Sequence, residues 1–336
     1  MGDEIGRQRF EEIVGGFKAA SVLVLGDLMM DEYLCGAVRR ISQEGPVMVV
    51  EVESDEFKPG GAANVGNNLQ ALGAHVVIAG VVGDDEGGRL LQSDLAAWNI
   101  DVSGVITDPT RPTTRKTRVI AQNQQVIRVD REQTQPVSEA VAQRLIHHIS
   151  ASIKDVDAVL VSDYRKGVLT PEIAKTVIGI AAQAGKPLIT NPKPSSAPWL
   201  AGAQVLSLNR SEAEDLGRRR LGVDAYSDDI FGEALRSELD VDTLVITWGA
   251  RGLSYWRRNG EYRYVPAHRV EVADVAGAGD TTISAMTLAV LAGATTYESA
   301  VIANRAGACV VRKSGVATLT ADELLRAGNE GTASYD

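Results

Sequence analysis

Two kinds of hydrophobic pattern alternate along this chain. In the first, a short apolar run is followed by a stretch with apolar residues every three or four positions. Residues 5–18 place Ile5, Phe10, Ile13 and Val14 on one face of a short helix. SVLVLGDLMMDEY then reads as a strand ending at Gly26-Asp27, with the unbroken apolar run of a parallel strand covered on both faces. The rhythm resumes with a helix over GGAANVGNNLQALGA ending in Gly73, a strand over HVVIAGVVG and a helix over DDEGGRLLQSDLAAWNI. After residue 136 the pattern predicts helix 137–149, strand DAVLVSD, helix 171–184, strand PLITN and strand AQVLSLN. Helices near 211–221 and 226–238, strand DTLVITWG and the antiparallel ribbon GLSYWRRNGEYRYVPA follow. The last part is helical from about 279 to 311, with one interruption near Gly293.

The second pattern appears twice. YLCGAVRRIS and PVMVVEVESDEF, within 33–57, are short and partly alternating. RPTTRKTRVIAQNQQVIRVDR, residues 111–131, reads as a hairpin turning at QNQQ. Neither repeats nor a flexible linker are evident. The expected architecture is one α/β sandwich spanning 1–336, with 33–57 and 111–131 paired as a small sheet or lid over one edge.

Composition narrows the function more than the fold. With 336 residues, 44% apolar and 23% charged, the chain can bury a sizeable core. A net charge of −10 argues against a general binder of nucleic acid or anionic membrane, though not against a small anionic substrate. Cys35 and Cys309 lack metal-ligand spacing. The N-terminal MGDEIGRQRFEEIVGGF has no apolar core, and no unbroken apolar stretch reaches about 18 residues, so the cytoplasm is the expected location.

Four constellations carry candidate chemistry. In DVAGAGDTT (274–282) a glycine-rich turn feeds an apolar helix. Such a turn aims backbone N–H groups at an anion, and Asp280 in the first helical turn can accept a proton from a hydroxyl. The alternative is that Asp280 only caps the helix. The spacing is neither that of a P-loop nor that of a dinucleotide fingerprint. Asp27 and Asp31 flank the end of the first strand, and Gly60, Gly61 and Asn64 mark a second loop–helix junction. Together they suit a polyol, whose hydroxyls donate and accept. Between Arg111 and Arg131 lie six basic residues (Arg111, Arg115, Lys116, Arg118, Arg128, Arg131) against Asp130, a local charge of +5 that can form an anion-binding surface. In LNRSEAEDL, Ser211 and Glu214 fit a capping box, which leaves Asn209 unused. Asn209 and Glu212 can instead orient a hydrated Mg²⁺.

These pieces, in this order, resemble the ribokinase/PfkB family of carbohydrate kinases. The matching stretches are Gly26–Asp31, GGAANV (60–65), NRSE (209–212), TWGARG (247–252) and DVAGAGDTT. Within the family, RRISQEGPVMVVEV, KPGGAANVGNNLQALGA, TRKTRVIAQNQQVIRVD, VSDYRKGVLT and NPK look most like the heptose 7-phosphate kinases of lipopolysaccharide-precursor synthesis. The resemblance implies a ribokinase-like three-layer α/β sandwich with a small β-sheet lid. It implies Asp280 as base, with the amides of Gly277, Ala278 and Gly279 stabilising the transferring phosphoryl group. Asn209 and Glu212 would organise Mg²⁺ through water, and Thr247, Gly249, Gly252 and Asn304 would line the ATP site. Asp27, Asp31, Gly60, Gly61 and Asn64 would hold the sugar. Lys116, Arg118, Arg128 and Lys193 would hold its 7-phosphate. The implied reaction is phosphorylation of the anomeric 1-hydroxyl of D-glycero-D-manno-heptose 7-phosphate, by a homodimer joined through the lid.

The chain departs from that pattern in places. Asn191 stands where those kinases carry Asp, and Ala276 where the family carries Thr. VVRKSGVAT, within the 310–318 loop, resembles a segment that can bind K⁺ but is basic, which leaves activation by K⁺ open. No nucleotidyltransferase domain follows, so a second enzyme is expected to add the adenylyl group. Two rivals stand beside this reading. One is another sugar or nucleoside kinase of the family, such as a fructokinase or ribokinase. The other is a sugar-binding regulator that has lost catalysis.

Overall fold

The computed structural model describes residues 5–122, 124–223 and 229–330. Its strands are β1 (Ser21–Gly26), β2 (Leu28–Ile41), β3 (Met48–Gly61), β4 (His75–Val82), β5 (Asp101–Thr107), β6 (Thr114–Ala121), β7 (Gln124–Arg131), β8 (Ala158–Ser162), β9 (Leu188–Asn191), β10 (Val205–Asn209), β11 (Thr243–Thr247), β12 (Gly252–Arg257) and β13 (Tyr262–Pro266). The helices are α1 (Arg7–Gly16), α2 (Ala62–Ala71), α3 (Glu86–Ala97), α4 (Glu139–Ser152), α5 (Pro171–Gln183), α6 (Arg210–Leu216), α7 (Asp229–Leu239), α8 (Ala278–Leu291), α9 (Thr296–Val310) and α10 (Ala321–Glu330).

Nine strands form one sheet in the order β13-β12-β11-β10-β9-β8-β1-β4-β5. From β11 to β5 every neighbouring pair is parallel, and β12 and β13 add an antiparallel edge. The apolar runs explain the placement. In β1, Val22 and Val24 pack into one core with residues of α1, α2, α8 and α9, while Leu23 and Leu25 pack into a second core with residues of α4, α5 and α7. The result is three layers, as the sequence pattern predicts. α8 is buried from Asp280 to Ala289. Thr282 and Thr287 donate to carbonyls one turn back, Thr287 Oγ1 to that of Ile283 at 2.8 Å, whereas Thr281 and Ser284 donate to Asn68 and to the Val65 carbonyl of α2. Among the described residues no helix is long and apolar enough to cross a membrane.

The strand order reverses beside β1. From β1 the chain builds β4 and β5 on one side and then β8 to β11 on the other. Ligands in open α/β sheets gather at the strand C-termini where the order reverses. Asp27 follows β1 there, and Asp163 and Tyr164 follow β8.

The interrupting segments form a second sheet in the order β3-β2-β6-β7. It begins earlier than the 33–57 pattern indicated, because β2 leaves β1 directly at Leu28 and β3 runs on to Gly61, where α2 starts. Two elements escaped the sequence pattern. β5 is an edge strand interrupted by Gly104, and α10 is a short helix packed on α1 and α9. The start of the helix expected near 226 and part of the QNQQ turn lie outside the described residues.

Candidate active site

α8 starts at Gly277, whose backbone is left-handed (φ 78°) and whose added Cβ would lie 3.1 Å from the Asn64 amide nitrogen. Only glycine takes that conformation without strain. The first turn holds Asp280, 8% exposed. It is not the cap. Its Oδ2 accepts from Asn64 Nδ2 at 2.6 Å, and its Oδ1 accepts from the Tyr164 hydroxyl at 2.6 Å. Burial raises its pKa above the ordinary carboxylate range, while Tyr164, Asn64 and the charge of Lys193 pull it back. Asn64 is held in turn by Asn68, which accepts from Thr281 Oγ1 at 2.7 Å. The amide of Ala278, expected to face an anion, donates instead to the Val275 carbonyl at 3.3 Å. Those of Gly279 and Asp280 make no backbone hydrogen bond among the described residues.

Beside the Ala278–Gly279 turn lies a cleft of about 680 Å³. Asn209, Thr247, Gly249, Gly252, Gly279 and Asn304 all line it, so most residues expected at a nucleotide site converge there. Its walls are largely apolar, from Trp248 and Leu253 to Val272 and Val311, which suits an aromatic base. Gly252 also has a packing role, since an added Cβ would meet the Val265 carbonyl oxygen at 2.1 Å. Asn304 Nδ2 donates to the Pro266 carbonyl at 2.7 Å.

Glu212 does not line that cleft. The capping box belongs to Asn209 and Glu212, not to Ser211 and Glu214. Asn209 Oδ1 accepts from the Glu212 amide at 3.0 Å, and Glu212 Oε2 accepts from the Asn209 amide at 2.9 Å. Glu214 pairs with Arg210 instead. Glu212 Oε1 carries the Lys193 ammonium at 2.6 Å, and that ammonium stands 5.0 Å from the Tyr164 ring centroid. Among the described residues no group of three His, Cys, Asp or Glu side chains forms a metal cage. Asn209 lines the cleft and Glu212 stands behind it, and the lone pairs left on their oxygens suit contact through water with a Mg²⁺ that takes its direct ligands from phosphates.

Asp27 corrects another expectation. It is 1% exposed, and its carboxylate accepts from three backbone amides: Tyr164 at 2.7 Å, Lys166 at 3.0 Å and Val168 at 3.1 Å. It is engaged in holding a loop rather than turned to a ligand. Burial and the neighbouring Asp163 raise its pKa to about 6 against those three donors. Asp31 is placed differently. It accepts from Arg118 Nη1 at 2.5 Å, and a Cβ added at Gly60 would come 2.6 Å from its Oδ2. Gly61 is the left-handed residue before α2.

The basic hairpin divides. Strand register puts Asp31, Lys58, Lys116 and Asp130 on one face of the small sheet, with Tyr33, Arg118 and Arg128 beyond them. Arg115 and Arg131 pair on the other face. Arg111 is buried, and its guanidinium holds the carbonyls of Lys166 and Gln135. The charge is also largely neutralised: Lys116 pairs with Asp130 and Glu132, Arg128 with Asp130 and Arg118 with Asp31. Lys166, from the loop that Asp27 holds, reaches Glu132 at 2.8 Å. Tyr164, Lys58 and Lys166 were missed as site residues. Their sequence signal is that they lie in VSDYRKGVLT and KPGGAANVGNNLQALGA, two of the stretches that resemble the heptose 7-phosphate kinases.

The two departures are now located. Asn191 Nδ2 donates to the Ser207 carbonyl at 3.1 Å, and the amide of Ala276 donates to Asp274 Oδ1 at 2.9 Å. Asp274 Oδ2 accepts from the Gly315 amide at 3.2 Å. Lys313 Nζ donates to the Thr318 carbonyl and to Glu323, both at 2.7 Å, so this loop carries its own cation.

Comparison with known proteins identifies the family. The model of the pfkB family carbohydrate kinases matches residues 19–323. The bifunctional protein HldE of Geobacter sulfurreducens is 40% identical over 322 residues, covering 95% of this chain and 65% of that protein. HldE of Helicobacter hepaticus is 38% identical, covering 92% and 64%. The chain thus spans about 65% of the length of these curated relatives. Among solved structures, Arabidopsis thaliana ribokinase complexed with ribose and ATP superposes with a TM-score of 0.72 at 17% identity, covering 92% of this chain and 98% of that one. Escherichia coli phosphofructokinase-2 in complex with potassium gives 0.74 at 18%, covering 93% and 98%. The fold is ribokinase-like, and the chain belongs to the pfkB family of carbohydrate kinases.

Proposed function

We propose that this protein transfers the γ-phosphoryl group of ATP to the anomeric 1-hydroxyl of D-glycero-D-manno-heptose 7-phosphate, giving the 1,7-bisphosphate. The observation that carries this reading is Asp280, a buried carboxylate in the first turn of α8, whose neighbours Ala278 and Gly279 line the apolar cleft and which feels the charge of Asp31 on the sheet face bearing Lys116, Arg118 and Arg128. A base beside first-turn amides suits transfer to an alcohol, where catalysis is mostly positioning and charge stabilisation. Asp280 takes the hydroxyl proton as the sugar oxygen bonds to the γ-phosphorus and the bond to ADP breaks. Asn209 and Glu212 would hold Mg²⁺ through water, which would supply positive charge beside the phosphates. The similarity to the HldE proteins and the five matching stretches support the heptose assignment.

The dimer joins through the small sheet. Its face away from Asp31 carries Val52, Ile127 and Val129, each more than half exposed, beside Phe57 and Val119. A strip of that kind is suited to a second copy.

One observation favours a second reading. The basic residues facing Asp31 already have carboxylate partners, so an unphosphorylated sugar would leave none of them unpaired. A substrate panel at fixed ATP separates the two. Heptose 7-phosphate should give the highest kcat/KM, with the anomer of the product read by NMR. Faster turnover of fructose or ribose would overturn the heptose assignment. Absence of ATP turnover with every sugar tested would favour the regulator.

A further inference from the structure

We propose that Tyr164 is a positioning residue of the phosphoryl transfer: its hydroxyl keeps the Asp280 carboxylate ionised and aimed, from a loop that Asp27 locks in place. This rests on reading Asp280 as the base.

A buried carboxylate with no donors takes up a proton and stops being a base near neutral pH. In Asp280 burial still raises the pKa, and two donors at 2.6 Å from different elements, Asn64 of α2 and Tyr164 after β8, oppose it. Burial and the charge of Asp280 hold the Tyr164 pKa well above its ordinary value, so the phenol stays a donor across the working range. Each carboxylate oxygen accepts two hydrogen bonds. Tyr164 uses one site on Oδ1 and leaves the second for the substrate hydroxyl.

The ring is not free to leave. The Tyr164 amide donates to Asp27 at 2.7 Å, the amides of Lys166 and Val168 hold the same carboxylate, and Arg165 between them is left-handed (φ 61°). Lys193, tied to Glu212, stands 5.0 Å from the ring centroid. The other charges that face Asp280 are few. Lys193 lowers its pKa and Asp31, paired with Arg118, raises it, while Glu212 bears on Tyr164. Its remaining neighbours in the network, Asn64, Asn68 and Thr281, are neutral.

The test is the pH profile of kcat for Tyr164→Phe in the full chain, using the best acceptor of the panel and saturating ATP. Removing one hydrogen bond to a charged group should move the acid limb up by about one to two pH units. The KM for ATP should stay unchanged. A lower kcat with the limb unmoved would reduce Tyr164 to packing and overturn the proposal. A second variant guards against loss of fold: 3,5-difluorotyrosine at 164 keeps the ring and is a stronger donor, so it should move the limb down. An unmoved limb there overturns the proposal equally. Failure of the base reading is separable, because it shows as activity retained in Asp280→Asn.

Discussion

Two buried aspartates lie at the end of the large sheet, and the protein treats them differently. Asp27, after β1, is held by three backbone amides of one loop. Asp280, in the first turn of α8, is held by two side chains from separate elements. Backbone donors fix a chain path and have nothing to share with a ligand. Side-chain donors leave lone pairs open and let a carboxylate be tuned. The first arrangement makes a clamp and the second suits the proposed base, although both aspartates look alike in sequence. Tyr164 joins them, with its amide on one and its hydroxyl on the other.

The comparison breaks most directly at Asp280. Asp280→Asn should lower kcat by about 10²–10⁴-fold while the protein stays folded. Equal activity in ATP consumption assays would remove Asp280 as base. Asp27→Ala should show the opposite balance. Leaving three amides without an acceptor should lower the unfolding free energy by about 3 kcal/mol or more, read by urea titration. A fold as stable as the parent would deny the clamp.

The pH dependence sharpens the same contrast. The Asp27 carboxyl has a pKa of about 6 in the folded protein against 3.8 ordinarily, so the native state holds its proton more tightly. Its contribution to stability is therefore full below the ordinary value and falls as pH rises through that window. Asp27→Asn should flatten the dependence of unfolding free energy on pH between about 4 and 6. An unchanged slope would assign that titration elsewhere.

Away from both aspartates the effects should be smaller. Lys116→Ala or Arg118→Ala should raise KM for the sugar phosphate about tenfold and leave KM for ATP alone. Unchanged sugar KM would place these residues outside the site. Ile127→Asp, on the opposite face, should convert the proposed dimer to monomer in sedimentation with kcat retained. A dimer that persists would move the interface off this sheet.

How much of this was legible depended on the residue. The apolar runs fixed nearly every strand of the large sheet, because a strand covered on both faces is mostly apolar, with exceptions such as Thr190 and Ser207. DVAGAGDTT located the first turn of α8, since a glycine-rich turn before an apolar run permits little else. β5 was not legible, because Gly104 and alternate polar residues blur an edge strand.

What the sequence alone determined is the order of elements, the place of Asp280 and the family pattern that places the cleft residues together. Only the tertiary structure decided which neighbours each charged group meets. It turned Arg111 into the core, divided the basic hairpin between two faces, made Asp27 a clamp and brought Tyr164 to a carboxylate 116 residues away. The reason is physical: helix and strand periodicity is written in local spacing, whereas a buried charge is settled by donors that arrive from distant parts of the chain.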